Sequence, residues 1–198
     1  MAKQNLNKIF LSAGIPYYAK DRDDKYFNTA DIIAIRDSVR ALATVVIPNA
    51  QLVWGGQPAI TPLIRFVMEK MNSDLKEHIT LYQSNFFRFS FPEDNFYFEN
   101  IQITEEGRDI LESLEKMRLE MFRNNEFSAG IFIGGMDGVE KEYNFFREIH
   151  PDALILPVAS TGAAARIIYD SIDLKPSERL VNDYAYMAMF RDLLSDFI

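Results

Sequence analysis

Short apolar runs alternate with amphipathic segments along the chain, and this pattern predicts buried strands separated by helices. In chain order, five apolar runs that end in small or polar residues are KIFLSAG (8–14), AQLVWGG (50–56), HITLYQS (78–84), AGIFIGG (129–135) and ALILPVAS (153–160). Nearly continuous apolar strands that alternate with helices are typical of a parallel sheet covered on both faces. The pattern therefore predicts an α/β, Rossmann-like, doubly wound fold with a mainly parallel sheet of about five or more strands.

The segments between these runs have apolar residues at helical spacing. The clearest amphipathic helix is predicted within residues 105–124, where apolar positions recur every three or four residues and charges occupy the other side. A last helix is predicted over residues 183–197. Its apolar side chains have two alternative roles, covering the sheet or forming part of a homodimer face.

Two segments fit neither pattern. Residues 15–27 form a long, charged and aromatic loop, longer than a plain strand-to-helix connection needs, and such loops are often functional. Residues 85–104 are dense in Phe, Tyr and Asn, which predicts an ordered loop or short hairpin packed on the body. With 198 residues, the chain is expected to form one domain over 1–198.

Composition narrows the classes of function. The net charge of −8 argues against broad binding to nucleic acid, because that binding depends on lysines and arginines that displace counterions. The absence of cysteine excludes disulfides, thiolate metal sites and a cysteine nucleophile. No apolar run has the length of a membrane span or an export signal, so a cytoplasmic protein with no membrane partner is expected.

Four strand ends carry small or polar residues that are candidates for ligand binding. The carboxyl ends of parallel strands share one edge of the sheet, where glycines let backbone amides approach a ligand and helix N-termini favour anions. These ends predict a phosphate or pyrophosphate site, although any single glycine pair is more often only a turn. The candidates are Ser12, Ala13, Gly14, Gly55, Gly56, Gln57, Gly134, Gly135, Met136, Asp137, Gly138, Ser160, Thr161 and Gly162.

Charged residues add three candidates, each with an ordinary structural alternative. Glu142 follows Gly138 by four residues and is expected either to face the crevice or to stabilise its helix start. Arg36 and Arg118 are candidate ligand contacts, and the alternative for each is a solvated surface charge. Neither histidine, His78 nor His150, has partners at a spacing typical of a catalytic triad or metal site, so no metal is expected.

The ordered set FLSAG, LVWGGQPAITPLI, RLEMF, IFIGGMDGVEKEY and LPVASTGAAA resembles the SLOG superfamily, relatives of the Lonely Guy (LOG) and DprA Rossmann-like proteins. The similarity covers about residues 8–171, and it looks closest to the branches associated with TIR, Sir2 and nucleoside-phosphorylase domains. It implies a fold that binds nucleotides, in several branches as a sensor of NAD-derived signals such as cyclic ADP-ribose.

In the LOG enzymes the same crevice hydrolyses the N-glycosidic bond of a nucleoside 5′-monophosphate. The resemblance implies that Glu142 matches the glutamate of their P-G-G-x-G-T-x-x-E motif. This chain departs from that motif, since Ile133 replaces the proline, Val139 replaces the threonine and one residue is added between the glycines. On the preceding helix, Met117 stands at the position of the catalytic arginine and Arg118 at that of the following lysine.

Two functions remain in view. The first is a sensor that binds ADP-ribose or a cyclic ADP-ribose-like signal in a bacterial antiphage system, needs no further cofactor and controls a TIR, Sir2 or other effector chain through conformational or oligomeric change. A homo-oligomer is expected. The alternative is a LOG-type phosphoribohydrolase that uses Glu142 and Arg118, with Glu140 as a second candidate carboxylate. Under the sensor hypothesis, Gly135→Val is expected to abolish binding without unfolding the protein.

Overall fold

The structure is a computed structural model that describes residues 6–18, 23–71 and 73–198. Within these residues, six strands form one sheet in the order β4-β3-β2-β1-β5-β6, and every neighbouring pair is parallel. The strands are β1 (Lys8–Gly14), β2 (Gln51–Trp54), β3 (Ile79–Ser84), β4 (Ile101–Thr104), β5 (Ala129–Gly134) and β6 (Leu154–Val158). The prediction of a Rossmann-like α/β fold is therefore confirmed.

Strand β4 was not predicted from the sequence. It lies in the segment expected to be a loop or hairpin, but it pairs parallel to β3, and two short 3₁₀-helices, over residues 85–90 and 93–97, connect the two strands. It lies at the edge of the sheet, where its residues are less buried than those of the inner strands and Ile103 remains 49% exposed. The hairpin alternative is wrong, because a hairpin would make the pair antiparallel.

Eight α-helices are assigned in the described part of the chain. They are α1 (Asp24–Phe27), α2 (Ile32–Val46), α3 (Thr61–Met68), α4 (Ile110–Arg123), α5 (Asp137–Ile149), α6 (Ala163–Ser171), α7 (Arg179–Asn182) and α8 (Tyr186–Leu193). Residues 19–22 of the long charged loop lie outside the described residues.

The last helix is shorter than the predicted range of 183–197. Asp183 has an extended backbone, and its carboxylate accepts a hydrogen bond from the Ala185 amide at 2.7 Å, so the helix begins only at Tyr186. Helix α8 packs against α2, with Met189 and Phe190 fully buried. Its apolar side therefore covers the protein body, as in the first of the two predicted roles.

Strand β1 shows how the two faces of the sheet are filled. Ile9 and Leu11 point into a core built with α2, α3, α7 and α8, whereas Phe10 points to the opposite face, which α4, α5 and α6 cover. On that second face, Phe10 stacks on Phe146 with ring centroids 5.5 Å apart. Both faces are thus buried, which explains the continuous apolar runs of the strands.

The strand order reverses at β1. The chain proceeds from β1 through β2 and β3 to β4 on one side, and then returns to place β5 and β6 on the other. Helix α2 follows β1 onto one face, and helix α5 follows β5 onto the other. Such a reversal opens a crevice beyond the carboxyl ends of the strands, the usual ligand position in this architecture.

Candidate functional site

A cavity of about 940 Å³ lies at the carboxyl ends of β1, β2, β3 and β5. This volume is near the upper end of the range of about 300–1,000 Å³ that is typical of small-molecule sites. Most of the residues predicted from the strand ends, together with two of the predicted charged residues, line it: Ala13, Gly14, Gly55, Gly56, Gln57, Arg118, Gly135, Met136, Asp137, Gly138 and Glu142. Whether they contact a ligand stays a prediction.

The turn after β5 is held in a conformation that requires glycine. Gly134 and Gly135 have φ angles of 54° and 77°, and the Gly135 amide donates to the Gly14 carbonyl at 2.7 Å. A Cβ added at Gly135 would lie 2.1 Å from a methyl carbon of Val139. Gly135→Val would therefore disturb the fold itself, and the expectation that it only blocks binding is wrong.

The beginning of α5 forms the wall beside this turn. Gly138 belongs to the first turn of α5 and lines the cavity, and an added Cβ there would meet only Nη2 of Arg118, at 3.3 Å. The N-cap residue Met136 has no side-chain oxygen, so its own side chain does not cap the helix. The partial positive charge of this helix end and the guanidinium of Arg118 lie together and favour an anionic oxygen, and the carboxylates of Asp137 and Glu142 lie on the same wall.

Glu142 is held from two sides at the cavity wall. Its carboxylate accepts a hydrogen bond from the Ser12 hydroxyl at 2.5 Å, and its other oxygen pairs with Nε of Arg118 at 3.1 Å. The Arg118 and Glu142 side chains are only 11% and 15% exposed. Ser12 is buried behind the glutamate and does not line the cavity, so it positions Glu142.

Glu140, the second candidate carboxylate, is directed elsewhere. It accepts a hydrogen bond from the hydroxyl of Tyr26 and lies 3.8 Å from Nζ of Lys25. Burial and this hydrogen bond raise the pKa of Tyr26, which keeps the phenol protonated as a donor. Glu140 is not part of the cavity lining, so Glu142 is the better placed of the two carboxylates.

The strand end of β6 does not reach the cavity. Ser160, Thr161 and Gly162 are absent from its lining, as is Gly134. Thr161 is fully buried, donates to the Val158 carbonyl at 2.6 Å and accepts from the Gly134 amide at 2.9 Å. These two bonds hold the β5 and β6 ends together.

Thr29, which precedes α2, covers the strand end of β6. A Cβ added at Gly162 would lie 1.8 Å from the Thr29 carbonyl oxygen, and the Thr29 hydroxyl accepts from the Ala163 amide at 3.1 Å. Ser160 and the Tyr186 hydroxyl are hydrogen-bonded at 3.1 Å. Arg36 also lies away from the cavity, where it pairs with Asp37 on the surface at 2.9 Å.

Sequence reasoning missed one wall of the cavity. This wall contains Gln83 at the end of β3 and apolar residues from the 3₁₀ segment and the start of α4: Phe87, Phe91, Ile110, Leu111 and Leu114. The aromatic density of residues 85–104 was the available signal, but it predicted packing on the body and no ligand contact. The structure therefore gives the cavity a polar side at β1 and β5 and an apolar side at α4.

Both histidines contact backbone carbonyl oxygens. Nδ1 of His78 lies 2.6 Å from the Ile47 carbonyl oxygen, and Nε2 of His150 lies 3.0 Å from that of Phe122. Burial lowers the pKa of His150, which favours the neutral ring. In the described ranges, no group of three or more His, Asp or Glu side chains could hold a metal ion.

Comparisons with known proteins agree with the fold. A solved X-ray structure named TM1055, a structural-genomics target, matches with a TM-score of 0.53 and 15% sequence identity, over 88% of this chain and 89% of that chain. At this identity the likeness shows the fold alone. No curated protein sequence matches significantly. Across the residues that the structure describes, no helix is long and apolar enough to cross a membrane.

The sequence profile of the SLOG cluster3 family matches residues 25–194. The match begins after β1 and extends beyond residue 171 to the end of α8, so it includes the C-terminal helices that the sequence resemblance did not cover. The name of the family makes no reference to TIR, Sir2 or nucleoside-phosphorylase domains, and that finer assignment stays a prediction. The chain belongs to the SLOG cluster3 family, which confirms the predicted membership of the SLOG superfamily.

Proposed function

We propose that the chain binds a nucleotide-derived signal of the ADP-ribose type in the cavity at the carboxyl ends of β1, β2, β3 and β5. The observation that carries this proposal is a cavity of about 940 Å³ with an anion-suited wall on one side and an apolar wall on the other. Membership of the SLOG superfamily supports a nucleotide-related role. A cavity of this size has room for a second ribose phosphate beyond a nucleoside monophosphate.

The two walls suit the two ends of such a ligand. At the polar wall, beside the glycine turn, the first turn of α5 and Arg118 provide donors for phosphate oxygens. At the other wall, Phe87, Phe91 and Leu114 provide apolar surface for a base. The ligand would thus extend from the β1–β5 crevice toward the start of α4.

The contacts of Glu142 favour binding over turnover. Each of its oxygens accepts one hydrogen bond, one from the Ser12 hydroxyl and one from Arg118, which holds the carboxylate in one orientation beside the arginine. A hydrolase needs a carboxylate free to stabilise the ribosyl transition state or to activate water. We propose that Glu142 orients Arg118 toward the ligand and that no further cofactor takes part.

A second candidate function is a LOG-type nucleoside 5′-monophosphate phosphoribohydrolase. It is favoured by one observation: Glu142, which matches the catalytic glutamate in the resemblance, does line the cavity beside the glycine turn. For turnover, the ribose of the bound substrate would have to approach a lone pair of the carboxylate that Ser12 and Arg118 do not use.

The sensor proposal also concerns partners. We propose that the signal changes conformation or oligomeric state through different affinities for two states, and that the output passes to an effector chain such as a TIR or Sir2 protein in a cytoplasmic antiphage system. A ligand that binds both states equally would change nothing, so a ligand-dependent shift in size or oligomer is required.

One experiment separates the two functions. The purified protein is incubated with AMP, ADP-ribose and cyclic ADP-ribose isomers, and thermal shift and product formation are followed in the same samples. Stabilisation without product supports the sensor. Release of free base with ribose phosphate, abolished by Glu142→Gln, supports the hydrolase. The absence of both stabilisation and product with every nucleotide would contradict the proposal.

A further inference from the structure

Gln57 has an amide orientation that its surroundings dictate. Its side-chain oxygen accepts hydrogen bonds from the backbone amides of Ala59 at 2.6 Å and Ile60 at 3.1 Å. Because backbone amides can only donate, the atom facing them must be the oxygen, and the two positions of the side-chain amide cannot be exchanged. The NH₂ group therefore faces the other way.

That NH₂ group borders the glycine turn. Nε2 of Gln57 lies 4.0 Å from the position that a Cβ on Gly14 would take, and that position is 3.3 Å from the Cα of Gly135. Gln57 is partly buried and lines the cavity. No acceptor for Nε2 is found among residues 6–18, 23–71 and 73–198, so within these residues both donors are left for a ligand or water.

Gln83 lies beside Gly56, in the glycine pair that follows β2. Its side-chain amide has the opposite orientation to that of Gln57. Its Nε2 donates to the Gly56 carbonyl at 3.0 Å, which leaves its oxygen as the amide atom available to a ligand. This residue is 5% exposed and lines the cavity. The cavity thus has a fixed donor next to the glycine turn and a fixed acceptor toward β3.

We infer that Gln57 is a specificity-determining donor that binds an anionic phosphate oxygen of the ligand at the glycine turn, while Gln83 faces a ligand group that carries an N–H or O–H. This inference rests on the proposed function and sets the direction of the ligand in the cavity. Donors that are fixed before binding lose little entropy when the ligand arrives, so Gln57 favours phosphorylated ligands over the corresponding nucleosides.

Gln57→Glu tests this inference because it separates the two roles of the residue. A carboxylate keeps both hydrogen bonds to the Ala59 and Ile60 amides, so thermal stability is expected to be unchanged or higher. The same change replaces the two donors with a negative charge beside the phosphate. The affinity for ADP-ribose, measured by calorimetry, is expected to fall by at least about tenfold.

Gln102→Glu is the matched control, since it adds the same charge on the exposed edge strand β4. This variant is expected to bind ADP-ribose like the unmodified protein. If Gln57→Glu keeps both its melting temperature and its affinity, Gln57 only caps the residues after β2 and the inference is overturned. If the unmodified protein binds none of the nucleotides, the proposed function fails first, and the inference falls with it.

Discussion

The strand ends of β5 and β6 have similar sequences but different surroundings. GGMDG after β5 and ASTG after β6 both combine small residues with a following helix, and both contain a glycine with positive φ. Gly135 and Gly138 line the cavity, whereas Gly162 packs against the Thr29 carbonyl. The difference lies in what covers each end.

At the β6 end, the chain itself provides a partner for the start of the following helix. The amide of Ala163, at the N-terminus of α6, donates to the Thr29 hydroxyl, while Gly138 in the first turn of α5 lines the cavity. A helix N-terminus needs partners for its amides, and either the protein or a ligand can provide them. This comparison predicts that substitutions at the β5 end affect binding and that substitutions at the β6 end affect only stability.

Arg118→Met is expected to have the largest effect. It removes the cation from a carboxylate that is only 15% exposed, and the remaining charge is expected to lower the free energy of unfolding by about 3 kcal/mol. Binding of ADP-ribose is expected to be lost as well, because Arg118 lines the cavity beside Gly138. Urea unfolding and calorimetry measure the two effects.

The double variant Arg118→Met with Glu142→Gln is the control for this change. Without the uncompensated charge, much of the lost stability is expected to return while binding remains weak. If Arg118→Met alone is as stable as the unmodified protein, the ion pair between Arg118 and Glu142 does not stabilise the structure at the end of β5.

Thr161→Val tests the covered strand end. Valine has nearly the same shape but leaves the buried Gly134 amide and Val158 carbonyl without their partner, at an expected cost of about 2 kcal/mol. Ligand affinity of the folded protein is expected to change little, because Thr161 does not line the cavity. Thr44→Val is a control on α2, where the hydroxyl bonds to the Arg40 carbonyl in the preceding turn. Affinity that falls in parallel with stability would contradict the separation of the two ends.

The positions of the strand ends can be predicted from the sequence, but the residues that cover them cannot. Gly14, Gly55 and Gly135 follow apolar runs whose parallel arrangement the pattern predicts, so the pattern alone is enough to infer their position at one sheet edge. The cover over Gly162 comes from Thr29, more than a hundred residues earlier in the chain. No local pattern indicates such a contact.

The apolar wall was missed for a related reason. Phe87 and Leu111 belong to segments whose composition predicts packing, and only their placement over the β2 and β3 ends makes them cavity residues. The exposure of Arg36 likewise depends on which side of α2 meets the sheet. Helical periodicity identifies the buried side of a helix, but it does not identify which exposed residues lie near a cavity.

Gly138→Ala is expected to have the smallest effect on stability, and it tests the open end directly. A methyl group there would meet only Nη2 of Arg118, at 3.3 Å, and alanine in a helix gains about 0.5 kcal/mol over glycine, so stability is expected to be equal or slightly higher. Affinity for ADP-ribose is nevertheless expected to fall, since the methyl group keeps the phosphate away from the amides of the first turn of α5. Asn144→Ala, on the exposed side of the same helix, raises helix propensity without touching the cavity and is expected to bind normally. If both alanine variants bind ADP-ribose equally well, the ligand does not approach the start of α5. The strand ends of β5 and β6 would then not differ in function.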